Sequence, residues 1–161
     1  MKHPTLFPLS FEQERMWFLS KLHDAAPAFH ERAGAWLHGQ LDVPSLKQAL
    51  VEVSRRHEIL RTTFVAIGEQ PAQRIAPEIE LPWREEDART AAEEGARGLE
   101  EKALSLAREE VSRPFDLEHG PLWRVCLVRL DLQRHLLLVT MHQHNSDGDR
   151  TLGLFFSEIF S

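Results

Sequence analysis

Residues 122–142 read LWRVCLVRLDLQRHLLLVTMH. Two apolar runs flank a polar tetrapeptide. Leu122–Leu130 and His135–His142 are rich in Leu and Val, residues that fit a buried pleated surface. Asp131-Leu132-Gln133-Arg134 between them has the composition of a turn. The stretch therefore predicts two strands joined by a polar turn.

Working outward, an apolar helical pattern begins near Thr151, and upstream Pro114 and Gly120-Pro121 interrupt an Ala-, Glu- and Arg-rich segment. That segment, Thr90–Ser112, carries Leu99, Ala103, Leu106 and Val111 on one side and predicts a long amphipathic helix with a solvated charged face. Leu60–Ile67 predicts a strand, Gly68-Glu69-Gln70 a turn into a short strand near Gln73–Ala76, and Ile79–Trp83 a further short strand. Leu46, Ala49, Leu50 and Val53 recur at helical spacing behind Asp42, a suitable cap, and Pro44, which suits a first turn. Ala28–His38 is strand-like. Ser10 and Gln13 form a capping box that starts a first helix with Phe11, Trp17, Phe18 and Leu22 as its apolar stripe. The order of helix, strand, helix, strands, helix, two strands, helix predicts an α/β fold, a two-layer sandwich with a mixed sheet.

The 161 residues, 42% hydrophobic and 27% charged, suit one globular domain or one lobe of a larger one. A net charge of −6 with no basic stripe argues against nucleic acid as a partner. The opening MKHPTLFPLS lacks the apolar core of a signal peptide, and the longest apolar run, Leu136–Val139, is far too short for a bilayer, so a cytoplasmic protein off the membrane is expected. Cys126, the single cysteine, reads as a small core hydrophobe. Trp17, Trp36, Trp83 and Trp123 read as core aromatics. The chain stops at Ser161 inside a helix still reading Leu154-Phe155-Phe156 and Ile159-Phe160, the pattern of a lobe whose covering surface is a second lobe or a second copy of itself.

Met141-His142-Gln143-His144-Asn145-Ser146-Asp147-Gly148-Asp149-Arg150 concentrates the chemistry. If the strand continues, His142 and His144 share one face and Gln143 takes the other. Two imidazoles on one side, with Asp147 or Asp149 as a third ligand, are one way to hold zinc, although the spacing does not match H-x-H-x-D-H. An acid/base site is the other reading. There is no P-loop or dinucleotide glycine pattern and no G-x-S-x-G nucleophile motif. His57, after Arg56, suits a helix C-terminus.

Four separated stretches resemble the condensation domains of nonribosomal peptide synthetases. Ser10-Phe11-Glu12-Gln13-Glu14-Arg15-Met16-Trp17 is similar to S-x-x-Q-x-R-(L/M)-W. Arg56-His57-Glu58-Ile59-Leu60-Arg61-Thr62-Thr63-Phe64 is similar to R-H-E-x-L-R-T-x-F. Pro114-Phe115-Asp116-Leu117 with Gly120-Pro121-Leu122 and Arg124 is similar to that family's strand lead-in. The decapeptide stands where the family has M-H-H-x-x-x-D-G.

The resemblance implies one chloramphenicol-acetyltransferase-like lobe of a two-lobed domain, residues 1–161 being the N-terminal lobe. It implies no directly bound cofactor. Peptidyl or acyl carrier proteins would be the partners, bringing donor and acceptor on phosphopantetheine arms into a tunnel between this lobe and a C-terminal one. An aminoacyl amine would then attack the donor thioester carbonyl, giving an amide and a free thiol.

The site residues implied are His142, Gln143, His144, Asp147 and Gly148, with Arg61 as structural support through a pair with Asp147. Counting back from Asp147-Gly148, the family's second histidine, the one assigned to the chemistry, falls on Gln143. A carboxamide can orient an amine or donate to an oxyanion, but it does not titrate near neutral pH. Reduced activity or none is expected, unless His144 or Gln143 is adapted to the task. A non-catalytic platform for carrier proteins or a partner enzyme is the further alternative. Gly148 is expected at a backbone angle closed to other residues. Asp149-Arg150 replaces the family's aromatic-Ser pair.

Overall fold

The structure is a computed structural model and describes residues 3–22, 29–89 and 95–161. The two runs of 122–142 become β6 (Trp123–Arg129) and β7 (Arg134–His142), an antiparallel pair with Val125 opposite Val139. Asp131 closes the turn by accepting the Gln133 N–H at 2.7 Å, and the Leu130 N–H reaches the Arg134 carbonyl at 3.0 Å. The pair is central in a four-stranded mixed sheet of order β2-β7-β6-β5, where β2 (His30–His38) is antiparallel to β7 and β5 (Trp83–Asp87) parallel to β6.

Central position explains the nearly unbroken apolar sequence, because both faces are covered. Trp123, Val125, Leu127, Leu137, Val139 and Met141 pack with Leu46, Leu50 and Val53 of α2 (Val43–Arg56) and Leu152, Phe155 and Ile159 of α4 (Asp149–Ile159). On the other face Cys126, Val128 and Leu136 meet Leu99, Ala103 and Leu106 of α3 (Gly95–Ser112). The expected α/β sandwich with a mixed sheet is therefore formed, and Cys126 is a core residue whose thiol burial pushes up to about 12.

A second, three-stranded antiparallel sheet of order β1-β4-β3 stands beside it, built from β1 (Thr5–Pro8), β3 (Thr62–Ile67) and β4 (Gln70–Ile75). The sequence reading missed β1, which is short and exposed along its whole length. It also put the fifth strand too early, at Ile79–Trp83, where Pro82 lacks the N–H a ladder needs. β5 instead uses Trp83–Asp87, whose charges are tolerated at a sheet edge because they are paired. Glu85 accepts from Lys47, Arg129 and the Trp83 indole, with Lys47 the chief cause of a carboxyl held at about 2.

α1 (Phe11–Leu22) starts at the predicted capping box, with the Ser10 N–H donating to Gln13 Oε1 at 3.0 Å and the Gln13 N–H to Ser10 Oγ at 3.3 Å. Its expected apolar stripe is corrected. Trp17 alone is shown buried, against Phe64 and Leu122, while Phe11 and Phe18 are 79% and 60% exposed; the Leu22 side chain lies outside the described residues, as does Ala28. Trp36 is likewise exposed on the edge strand rather than in the core. Asp42 caps α2 through the Ser45 N–H at 3.1 Å. Gly120 has φ +61°, and a Cβ there would meet Thr63 Cγ2 at 2.6 Å, so this turn accepts only glycine without a shift. Among the described residues no helix is long and apolar enough to cross a membrane.

Candidate active site

β7 ends at His142, and the chain turns at once into a 3-10 helix, Gln143–Asn145. The strand does not continue, so the expected alternation of 142, 143 and 144 does not apply. His142 caps the new helix itself: its Nδ1 accepts the His144 main-chain N–H at 3.2 Å. A main-chain N–H can only donate, so His142 carries its proton on Nε2. His144 Nδ1 lies 3.1 Å from the same acceptor, and its Nε2 is buried.

Both rings are 4% exposed. His142 lies among Phe29, His30 and Phe115, with ring centroids at 6.2, 5.9 and 6.0 Å, and His144 rests on Phe64 at 4.6 Å. Burial, then the neighbouring His144 and His30, holds His142 down at about 3. Burial takes His144 to about 4, with the Gln13 main chain pulling the other way. Each desolvation disfavours the charged ring, so both imidazoles are neutral at neutral pH. Gln143 is half-buried and, together with His144 and Asp147, lines a cavity of about 530 Å³ between α1, the end of α2 and α4.

The four sequence stretches singled out above converge on this turn. Gln13 and Trp17 of the first lie over His144 and Phe64. The second is tied in by Asn145, whose Nδ2 donates to the carbonyls of Ile59 at 2.7 Å and Thr62 at 3.3 Å, and by the Trp123 indole on the Leu60 carbonyl at 2.9 Å. Phe115 of the third stacks edge-on against His142 and His30 and carries the Arg124 guanidinium on its face at 4.0 Å.

The expected Arg61–Asp147 pair is corrected. The partners of Arg61 are main-chain carbonyls at the end of α2 and beside β4: Ser54 at 2.9 Å, Arg55 at 3.3 Å, and Ala76. Helix-terminal carbonyls are natural acceptors for a guanidinium. Asp147 is exposed and accepts from the Thr151 hydroxyl instead. The anchor of the loop is Glu31 on β2, a residue the sequence reading passed over. It accepts from the Ser146 hydroxyl and from the Gly148 N–H at 3.0 Å. Gly148 has φ +88° and ψ −146°, the glycine-only angle expected of it. Asp149 begins α4 and Arg150 lines the cavity. His57 ends α2 as expected and also meets Glu158 at 2.7 Å. Among the described residues no three His, Cys, Asp or Glu side chains come together as metal ligands; Asp147 in particular is engaged with Thr151.

A Glu at position 31 and an Asn at 145 gave no sequence signal, because their partners are distant in the chain or on the main chain.

The Condensation domain family model matches residues 4–161. The chain belongs to the condensation domain family. It is 36% identical over 155 residues to "Tyrocidine synthase 3" of Brevibacillus parabrevis, covering 96% of this chain and 2% of that protein. Among solved structures it resembles the starter condensation domain of rhizomide synthetase RzmA, with a TM-score of 0.85, 20% identity, and coverage of 96% of this chain and 36% of the other. It also resembles the X-domain solved in complex with OxyB from teicoplanin biosynthesis, with a TM-score of 0.79, 29% identity, and coverage of 99% and 32%. The chain thus spans a small part of its curated relatives and about a third of these solved chains. Condensation domains of peptide synthetases work with carrier-protein domains, and the lobe has the chloramphenicol-acetyltransferase-like fold of those structures.

Proposed function

We propose that residues 1–161 are the N-terminal lobe of a condensation domain whose complete form binds carrier proteins and holds their thioesters, with little or no condensing activity. One observation carries this reading: at the cavity, Gln143 stands in the place of the second histidine, and His144, which lines the cavity beside it, is 4% exposed with its ring held neutral by burial. In the condensation reaction the acceptor amine attacks the donor thioester carbonyl. The C–S bond breaks as the amide forms, and the proton lost by the amine ends on the departing thiol. Gln143 can accept a hydrogen bond from the amine through Oε1, or donate through Nε2 to the oxyanion, but it cannot take the proton. His144 lines the cavity too, but it is 4% exposed and burial takes its ring down to about 4, which makes it a weak acceptor for that proton. Asp147 and Gly148 shape the loop, and His142 holds the turn.

The test is reconstitution of the full-length parent with loaded carrier proteins. Carrier binding is expected with dipeptidyl thioester at or near background by mass spectrometry. Rapid product formation abolished by His144→Gln, in a variant that still binds carrier, would overturn the reading.

A second reading, a platform for a partner enzyme, draws on the X-domain relative solved in a complex with OxyB. The exposed Phe11, Phe18, Leu154 and Phe160 are surface that a C-terminal lobe, a second copy of the chain or such a partner would cover.

A further inference from the structure

Arg124 stands on β6 opposite Thr140 of β7, two residues before His142. Its side chain is 11% exposed, and its guanidinium is spread over the end of α3. Nη2 donates to the carbonyls of Glu110, at 2.6 Å, and Arg113, and Nη1 donates to the Pro114 carbonyl at 3.3 Å. The last carbonyls of a helix have no partner within it, and a guanidinium is a natural donor to them. Nε lies 3.4 Å from the Glu110 carboxylate, whose side chain is 4% exposed. Arg84 at 2.6 Å and Arg113 at 2.9 Å hold the same carboxylate.

The face of this guanidinium lies 4.0 Å from the centre of the Phe115 ring, on the residue just after Pro114. Phe115 stands at right angles to His142 at 6.0 Å and edge-on to His30 at 4.8 Å. His30 is tied to the same helix end, because its Nδ1 donates to the Val111 carbonyl at 2.7 Å. Besides Phe29 and His144, the rings around His142 are thus Phe115 and His30, and both take their places from the end of α3. His142 in turn caps the Gln143–Asn145 helix through Nδ1.

We propose that Arg124 is the positioning residue of the motif turn: by fixing Phe115 it holds the His142 ring at the angle that caps the turn, and so sets where Gln143 meets the cavity. This role goes beyond the condensation reading and is the same whether or not the turn catalyses. A planar fork of donors serves three carbonyls, a carboxylate and an aromatic face at once, whereas lysine supplies a point charge. Glu110 keeps Arg84 and Arg113 when Arg124 is replaced, so no buried carboxylate is left unpaired.

The experiment compares Arg124→Lys, Arg124→Met and Arg84→Met with the wild-type 161-residue chain. Long-range ¹H–¹⁵N spectra read the His142 tautomer. Exchange of the His144 amide, taken relative to that of Leu127 in mid-β6, separates local loosening from global unfolding. Both Arg124 variants are expected to mix the two His142 tautomers and to raise the relative His144 exchange by roughly three- to tenfold, the effect of losing one hydrogen bond. Arg84→Met, which removes a cation from Glu110 and leaves Arg124 on Phe115, is expected to change neither. Phe115→Leu keeps the carbonyl bonds of Arg124, removes the ring between it and His142, and is expected to reproduce the Arg124 result; it decides the matter if the Arg124 variants do not fold. A merely structural arginine would lower stability toward urea and leave the native His142 spectrum as it is. That outcome in Arg124→Met or Phe115→Leu, or equal changes in Arg84→Met, overturns the proposal.

Discussion

Gln143→His in the full-length protein is expected to raise the rate of dipeptidyl thioester formation by about 10²–10⁴-fold, the usual worth of a positioned acid/base group. The substituted ring replaces a half-buried motif side chain that lines the cavity. It would escape the burial that holds His142 at about 3 and His144 at about 4. An imidazole so placed can take the proton that the amine must lose, which a carboxamide cannot. The backbone is already suited to it: His142 caps the Gln143–Asn145 turn, Asn145 ties the turn to Ile59 and Thr62, and Glu31 holds the loop beyond. None of these contacts uses the Gln143 side chain. Product measured by mass spectrometry under single-turnover conditions decides the matter. No gain in a variant that folds and binds carrier would locate the defect elsewhere, with Asp149-Arg150 the first place to look.

Stability is expected to fall steeply on mild acidification. The unfolded chain takes up protons on residues 142 and 144 as pH drops through the ordinary imidazole value of 6.5, whereas the folded chain resists to about 3 and about 4. The unfolded state then binds more protons, so this contribution is complete above about pH 6.5 and is lost as pH falls from there. Each ring costs about 2 kcal/mol by pH 5, and the pair about 4 kcal/mol, a large share of the roughly 5–15 kcal/mol of a typical domain. His30 and His135 are shifted down by burial and act in the same direction. The carboxylates shifted down by their partners, such as Glu158 beside His57, add their loss only at lower pH. Urea unfolding of the 161-residue chain at pH 7 and pH 5 measures the difference. His142→Asn, which keeps an acceptor for the His144 N–H, is expected to flatten the dependence. Equal stability at the two pH values would contradict the burial of these rings.

How far the sequence could be read depended on where each segment sits. The β6–β7 pair was legible because central strands covered on both faces must be apolar. β5 was not, because Trp-Arg-Glu-Glu-Asp at a sheet edge draws its tolerance from Lys47 and Arg129, which no local pattern reveals. The helical period placed Phe11, Trp17 and Phe18 on one stripe, yet α1 packs through Trp17 against Phe64 and Leu122, and the other two are exposed. The four stretches come together around the motif turn, and Gly148 has the backbone its type implied. The geometry inside the motif was out of reach for two physical reasons. A period of two holds only while the strand lasts, and a side chain that caps its own next turn ends it at His142. A carboxylate from β2 then does the anchoring assigned to Arg61, across more than a hundred residues of chain.

The central claim is that this turn brings a carboxamide to the cavity in the place of the second histidine, and that burial keeps the neighbouring His144 ring, which also lines the cavity, from taking a proton. Long-range ¹H–¹⁵N spectra of the histidine ring nitrogens between pH 5 and 8 test it most directly. The account predicts a proton on Nε2 of His142 and both rings remaining neutral down to pH 5. A His144 ring that titrates with a midpoint near neutral pH would contradict it.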